Sequence, residues 1–273
     1  MKLAFSTNAY KKTSLESAIE SIGALGYAGV EIMADVPHAL PAHMPAQRIS
    51  AVKAQIEKLR LGISNVNAFT LFAVGDTYHP TWIEDDAAKR QQRIAHTRQC
   101  IEMTAALGGK TISLQPGGPL GALDRATALD RYAAGLHEVL PLAQRHGITL
   151  MVEPEPGLVI QTSTECREFL NRAAHPNLKM NCDLGHFFCV DEDPVRVLRE
   201  CRDIIAHVHL EDIRADRVHQ HLIPGKGAMD FAGIFKALGD IGYAGWLTVE
   251  LYPYETTAEE AARQALAYLE KFM

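Results

Sequence analysis

The chain has 273 residues, 47% of them hydrophobic, with 33 acidic and 27 basic side chains for a formal net charge of −6. That length and composition suit a globular protein whose core needs neither disulfides nor a structural metal. The negative balance disfavours nucleic acid as a partner, and no apolar run reaches the roughly 18 residues of a membrane span.

In chain order, eight short apolar runs read as strands: Leu3–Ser6, Val30–Met33, Ile63–Ala68, Thr111–Leu114, Thr149–Glu153, Leu178–Asp183, Ile205–His209 and Leu247–Glu250. Each is followed by a helical pattern: Leu15–Leu25, Ala46–Leu59, Asp85–Leu107, Asp124–Arg145, Glu165–Ala173, Pro194–Cys201, Phe231–Ile241 and Ala258–Phe272. Nearly continuous apolar runs are what parallel strands covered on both faces require. Thr162/Glu165 and Thr256/Glu259 have capping-box spacing, and Gly108 and Gly147 suit helix ends. Eight such pairs at about 34 residues each occupy residues 1–273 and predict an α/β fold, a single-domain (β/α)8 TIM barrel. An open doubly wound sheet is the alternative, but Thr7-Asn8-Ala9-Tyr10 after the first strand is no phosphate-binding glycine loop.

The connections are lopsided. Helix-to-strand links such as Arg60–Gly62 and His146–Ile148 are short. Strand-to-helix links such as Ala34–Pro45, Phe69–Glu84 and Leu210–Asp230 are long and rich in proline, histidine and charge. In a barrel the long ones share the C-terminal face, where active sites are built. Met1–Ser6 lacks the apolar stretch of a signal peptide. Cys100, Cys166, Cys182, Cys189 and Cys201 form no CxxC pair, so free thiols in a cytoplasmic setting are expected.

Four ionisable residues end successive predicted strands: Glu153, Asp183, His209 and Glu250. Three carboxylates and an imidazole gathered at strand tips repel one another unless a cation is shared. The oxygen-rich set suits Mn²⁺ best, with Mg²⁺, Co²⁺ or Zn²⁺ as alternatives. The competing reading, acidic residues that merely start loops, fits any one of the four better than it fits all of them.

This ordered set, with Asp183-Leu184-Gly185-His186, His207-Val208-His209 and Pro224-Gly225-Lys226-Gly227, resembles the xylose isomerase-like TIM-barrel superfamily. The likeness is to its sugar phosphate isomerases and epimerases, in particular ketose 3-epimerases and inosose isomerase or dehydratase relatives. The resemblance implies one catalytic divalent metal on Glu153, Asp183, His209 and Glu250, with Glu153 and Glu250 also the acid/base pair. It implies that His186 points at substrate. Arg214 resembles an arginine that lies one residue further from the metal histidine in ketose 3-epimerases. Asn67 and Gln115 complete the expected substrate-binding residues together with Glu155, which either faces the pocket or caps its loop, and no organic cofactor is expected.

A divalent cation holding a carbonyl oxygen and a neighbouring hydroxyl acidifies the hydrogen between them and stabilises an ene-diolate. The expected activity is therefore isomerisation or epimerisation of a ketose, keto-cyclitol or keto-glycoside. Dehydration of a keto-cyclitol is the alternative on the same site. An apurinic-endonuclease-like hydrolase is a remoter rival. Asn67 and Gln115 fall near the places of two of that group's zinc histidines, and His219-Gln220-His221 replaces its Asp-x-His. His219 and His221 read as a second-metal remnant, as loop residues, or as contacts to substrate or a neighbouring subunit, and a homo-oligomer stays open. His38, His43 and His79 lie on catalytic-face loops, Phe69 and Trp82 read as a lid or as loop anchors, and Lys226 reads as a solvated loop residue rather than as a ligand for a substrate phosphate. His96, His137, His146 and His175 read as surface residues.

Overall fold

Each strand pairs in parallel with the next in sequence and the eighth returns to the first, which removes every open edge. The computed structural model describes residues 1–273, with strands β1 (Lys2–Ser6), β2 (Gly29–Met33), β3 (Gly62–Asn67), β4 (Thr111–Leu114), β5 (Thr149–Val152), β6 (Leu178–Asp183), β7 (Ile205–Leu210) and β8 (Trp246–Val249). Helices α1 (Leu15–Leu25), α2 (Ala46–Lys58), α3 (Ala87–Leu107), α4 (Arg125–His146), α5 (Ser163–Ala173), α6 (Leu184–Cys189), α7 (Pro194–Glu200), α8 (Phe231–Asp240) and α9 (Ala258–Leu269) alternate with them. The molecule is a (β/α)8 barrel, as its alternating pattern predicts. No helix is long and apolar enough to cross a membrane.

Local chemistry explains most boundaries. Thr162 forms the reciprocal capping box with Glu165, and Gly108 and Gly147 end α3 and α4 at φ 92° and 64°. The Thr256/Glu259 pair does not form a box; Thr257 precedes α9 without a side-chain cap. Helix α6 was not expected. Its N-cap is Asp183, the last residue of β6, whose Oδ1 accepts from His186 N at 2.8 Å. Strand therefore turns into helix with no intervening loop, and a six-residue helix is too short for periodicity to reveal.

The outward-facing strand residues Val30, Ile32, Val66, Ile112, Leu150, Val208 and Leu247 are fully buried in the apolar core shared with the helices. At about 1.5–3 kcal/mol each, such positions supply much of the drive to close the barrel. The lumen differs from the expectation of strands apolar on both faces. It carries Glu31, Ser64, Asn65, Asn67, Ser113, Asn181, His207 and Thr248, all buried. Hydrogen bonds between non-adjacent strands, Thr248 Oγ1 to Ser64 Oγ (2.9 Å) and Asn67 Nδ2 to Glu250 Oε1 (3.0 Å), cross this interior. Opposite the catalytic face, the Trp246 ring lies against Gly29 and Gly62, where an added Cβ would come within 2.6 and 2.5 Å of it.

Two clamps hold the long loops. Arg93 of α3, wholly buried, donates from Nε to Pro80 O (2.8 Å) and from Nη1 to Phe69 O (3.0 Å), fixing both ends of the loop after β3. Asp212 accepts from the backbone N–H of Gly225 (2.9 Å) and Gly227 (2.8 Å) on one oxygen and of Ile213 (2.9 Å) and Met229 (3.1 Å) on the other. It thereby ties the loop after β7 back to its own start.

Candidate metal centre and active site

Strand ends β5 to β8 bring Glu153, Asp183, His209 and Glu250 together, and one ligand atom from each lies within 4.8 Å of the others. All four are buried. His209 Nδ1 is 3.2 Å from Glu153 Oε1, 3.7 Å from Asp183 Oδ2 and 3.9 Å from Glu250 Oε2. Glu250 Oε1 accepts from Asn8 Nδ2 (2.9 Å) and Asn67 Nδ2 (3.0 Å), which aims its other oxygen at the cluster. Glu153 Oε2 and Asp183 Oδ2 are buried with no hydrogen-bond partner. Unpaired carboxylate oxygens in a dry site are costly, and a divalent cation bound by four hard or borderline donors satisfies them. The residues fit such an ion.

The electrostatics carry the same demand for positive charge. Burial alone would lower His209, yet the charges of Glu31, Glu153 and Glu250 push it well above the ordinary imidazole range. Burial, reinforced by Glu153, Glu31 and Asp183, raises Glu250 well above the usual carboxylate range. Asp183 moves the other way, because His186 and His209 outweigh the effect of its burial. Glu155 is pushed up to about 7, by burial and by the carboxylates of Glu153 and Asp183, against the charge of His186.

A cavity of about 360 Å³ opens directly above the cluster. Asn8, Asn67, Glu153, Glu155, His186 and Glu250 give it polar walls, while Phe69, Phe72, Tyr78 and Tyr252 give it aromatic ones. His186 donates from Nδ1 to Pro154 O (2.8 Å), and its Nε2 faces His221 Nε2 at 3.4 Å. His221 is fully buried and lies 2.9 Å from Glu250 O through Nδ1. His219 lines the cavity beside Glu155, with 3.6 Å between Nδ1 and Oε1. The loop after β7 thus carries both histidines into the site.

The remaining sequence-predicted residues divide. Phe69 and Asn67 line the cavity, but Trp82 is buried against Tyr132 of α4 and anchors the loop. Gln115 does not reach the cavity; its Nε2 donates to Tyr78 O at 2.9 Å and supports the loop wall from behind. Arg214 is not brought to the site either. Its side chain is half exposed and pairs with Asp216 on the surface, because the turn after β7 directs it outward. His38 is buried against Tyr10 O, and His43 and His79 are exposed, so none of the three lines the cavity. Lys226 is exposed, as expected. His96 is a correction: it is buried in α3 against Cys100 (3.4 Å), whereas His137 and His146 are exposed and His175 is half-buried.

Asn8, Phe72, Tyr78 and Tyr252 were not singled out from the sequence, and neither were two buried carboxylates. Glu31 on β2 lies in the lumen under His209, and Glu211, just past β7, is fully buried with Oε1 accepting from Gly185 N at 2.5 Å. A Cβ on Gly185 would sit 1.9 Å from that oxygen, so glycine is what lets β7 and α6 close on each other. For Glu31 the signal was a carboxylate inside the apolar run Val30-Glu31-Ile32-Met33.

Residues 19–272 match the family model described as xylose isomerase-like TIM barrel. Inosose dehydratase of Clostridium beijerinckii is 25% identical over 266 residues, covering 88% of this chain and 83% of that protein. Inosose dehydratase of Lacticaseibacillus casei is 26% identical over 293 residues, covering 96% and 91%. Among solved structures, a D-psicose 3-epimerase superposes with a TM-score of 0.83 at 19% identity, over 100% of this chain and 99% of that one. The 3-keto-D-glucoside 4-epimerase of E. coli superposes at 0.81 with 20% identity, over 99% of each. A zinc-bound IOLI protein superposes at 0.82 with 19% identity, over 100% and 99%. At these identities the structural likeness establishes the shared barrel alone. The chain belongs to the xylose isomerase-like TIM-barrel family.

Proposed function

We propose that this chain is a divalent-metal-dependent isomerase or epimerase that moves a proton at the carbon beside a carbonyl of a ketose, keto-cyclitol or keto-glycoside. The observation that carries the reading is the pair Glu153 and Glu250, two buried carboxylates that line one cavity and share a four-residue cluster with Asp183 and His209. Glu153, Asp183, His209 and Glu250 would hold the ion. When bound there, a divalent cation supplies the charge that acidifies a hydrogen between a carbonyl and a hydroxyl.

One carboxylate of the pair removes that proton and the other returns one from the opposite side, inverting the carbon. Asn8 and Asn67 hold Glu250 in place by its far oxygen, which leaves the near one to act. His186, oriented by Pro154 O and with Nε2 turned to His221, lines the cavity that would hold the substrate, and Glu155 receives a further hydroxyl. The aromatic walls cover the C–H face of a sugar ring and keep water from the transient carbanion.

Dehydration is the second reading, favoured by the inosose dehydratase relatives. It uses the same proton abstraction, followed by loss of a hydroxyl from the next carbon. Deuterium uptake from D₂O across ketoses, inososes and keto-glycosides, with Mn²⁺, Mg²⁺, Co²⁺ or Zn²⁺ added, tests both. Exchange with inversion identifies an epimerase, exchange with a carbonyl shift an isomerase, and exchange with loss of water a dehydratase. No exchange with any substrate and any ion would overturn the proposal.

A further inference from the structure

Glu31 is the one carboxylate that β2 places in the barrel lumen, and no solvent reaches it. Its Oε2 lies 2.7 Å from His209 Nε2 and accepts from Asn65 Nδ2 at 2.9 Å. Its Oε1 accepts from Asn67 Nδ2 at 3.4 Å, the same amide that holds Glu250. Strands β2 and β7 are not neighbours, so the contact with His209 spans the lumen.

We infer that Glu31 is a positioning residue that fixes His209 as an Nδ1 ligand of the divalent ion. An ionised carboxylate only accepts hydrogen bonds, so the 2.7 Å contact requires a hydrogen on His209 Nε2. In a neutral imidazole the lone pair then belongs to Nδ1, and Nδ1 is the atom that faces Glu153, Asp183 and Glu250. A carboxylate behind a ligating histidine sets its tautomer, its ring plane and its basicity. Asn65 supports this by holding Glu31 while also donating to Ser113 Oγ at 2.9 Å, which ties the carboxylate to β4. Asn67 couples the orientation of Glu31 to that of Glu250. The lumen layer beneath the site therefore serves to aim its one nitrogen donor.

This inference rests on the four-residue metal centre proposed above, and the test separates the two. Mn²⁺ affinity is measured by chelator competition on wild type, Glu31→Gln and Glu31→Ala. In the glutamine variant the amide oxygen keeps accepting from Asn65 Nδ2 and from His209 Nε2, so only the negative charge behind the ring is removed, whereas alanine removes the contact as well. We expect Mn²⁺ to bind about 10–100-fold more weakly in both variants, with kcat at saturating Mn²⁺ falling less than the affinity does. Should both variants fail to fold, nitrogen NMR of Zn²⁺-loaded wild type decides, and we expect a metal-bound Nδ1 and a protonated Nε2 on His209. Variants that bind Mn²⁺ as tightly as wild type, or a His209 bound through Nε2, would overturn the role of Glu31 while leaving the metal centre standing. A wild-type protein that takes up no divalent ion would overturn the metal centre itself and this inference with it.

Discussion

In the proposed metal centre Glu250 would be subject to two opposing influences: ligation to a cation lowers the basicity of a carboxylate, while its burial and the neighbouring Glu153, Glu31 and Asp183 raise it. A ligand can act as a base only where the second influence is strong, and the dry lumen provides that. Replacing Glu250 by glutamine keeps its shape and its far contact with Asn8 but removes the proton acceptor. We expect Glu250→Gln to lower solvent-deuterium exchange into substrate by about 10²–10⁴-fold, with the circular dichroism of the fold retained. Exchange within tenfold of wild type would remove Glu250 from the acid/base pair. At this scale the sequence was informative where a charged side chain ended an apolar run, which is how Glu153, Asp183, His209 and Glu250 stood out. It was silent where a polar residue alternated within the run. Asn65, Asn181 and His207 differ from ordinary strand residues only in facing the lumen rather than the helices, and that depends on register.

Among the elements, α3 shows what burial does to an ordinary polar residue. His96 lies on its core face beside Cys100, and burial together with the nearby charge of Arg93 lowers its pKa to about 3. The unfolded chain takes up a proton there near the usual value of about 6.5, so between those limits it binds more protons than the folded one. Stability from this group is therefore complete above about pH 6.5 and is lost as pH falls, by up to about 1.4 kcal/mol per unit. We expect the urea midpoint of wild type to drop between pH 7 and pH 5, and the drop to be smaller in His96→Leu. Equal pH slopes in the two proteins would show that His96 does not titrate on unfolding. The surface assignment of His96 failed because α3 is polar on most of its length, so the face that meets the barrel is hard to pick from periodicity. Helix α6 escaped for a different reason: Asp183 closes a strand and caps a helix at once, leaving none of the turn residues that mark a boundary.

For the whole molecule, the alternation of strand and helix and the one-sided loop lengths made the barrel and its catalytic face legible. Which loop residues turn inward was not, because Arg214 and His221 lie on one loop and differ only in the path its backbone takes. The proposed metal centre, with three carboxylates from the ends of β5, β6 and β8, would also tie folding to ion binding. At a free ion concentration of about 100 Kd the folded state gains about 2.7 kcal/mol, or roughly 5–10 °C in Tm for a chain of this size. We expect thermal unfolding to shift upward by about that much on adding Mn²⁺ to chelator-treated protein, and the shift to vanish in Asp183→Ala. An unchanged Tm in wild type would argue against a shared ion. The Asp212 clamp has a consequence for anion binding. Successive backbone N–H groups in a glycine turn make a nest for an anion, and Pro224-Gly225-Lys226-Gly227 is such a turn on the catalytic face. Its donors already converge on the carboxylate of Asp212. The chain supplies its own counter-ion there, so the turn's donors are already spent within the protein and serve to hold the loop rather than to receive an outside anion.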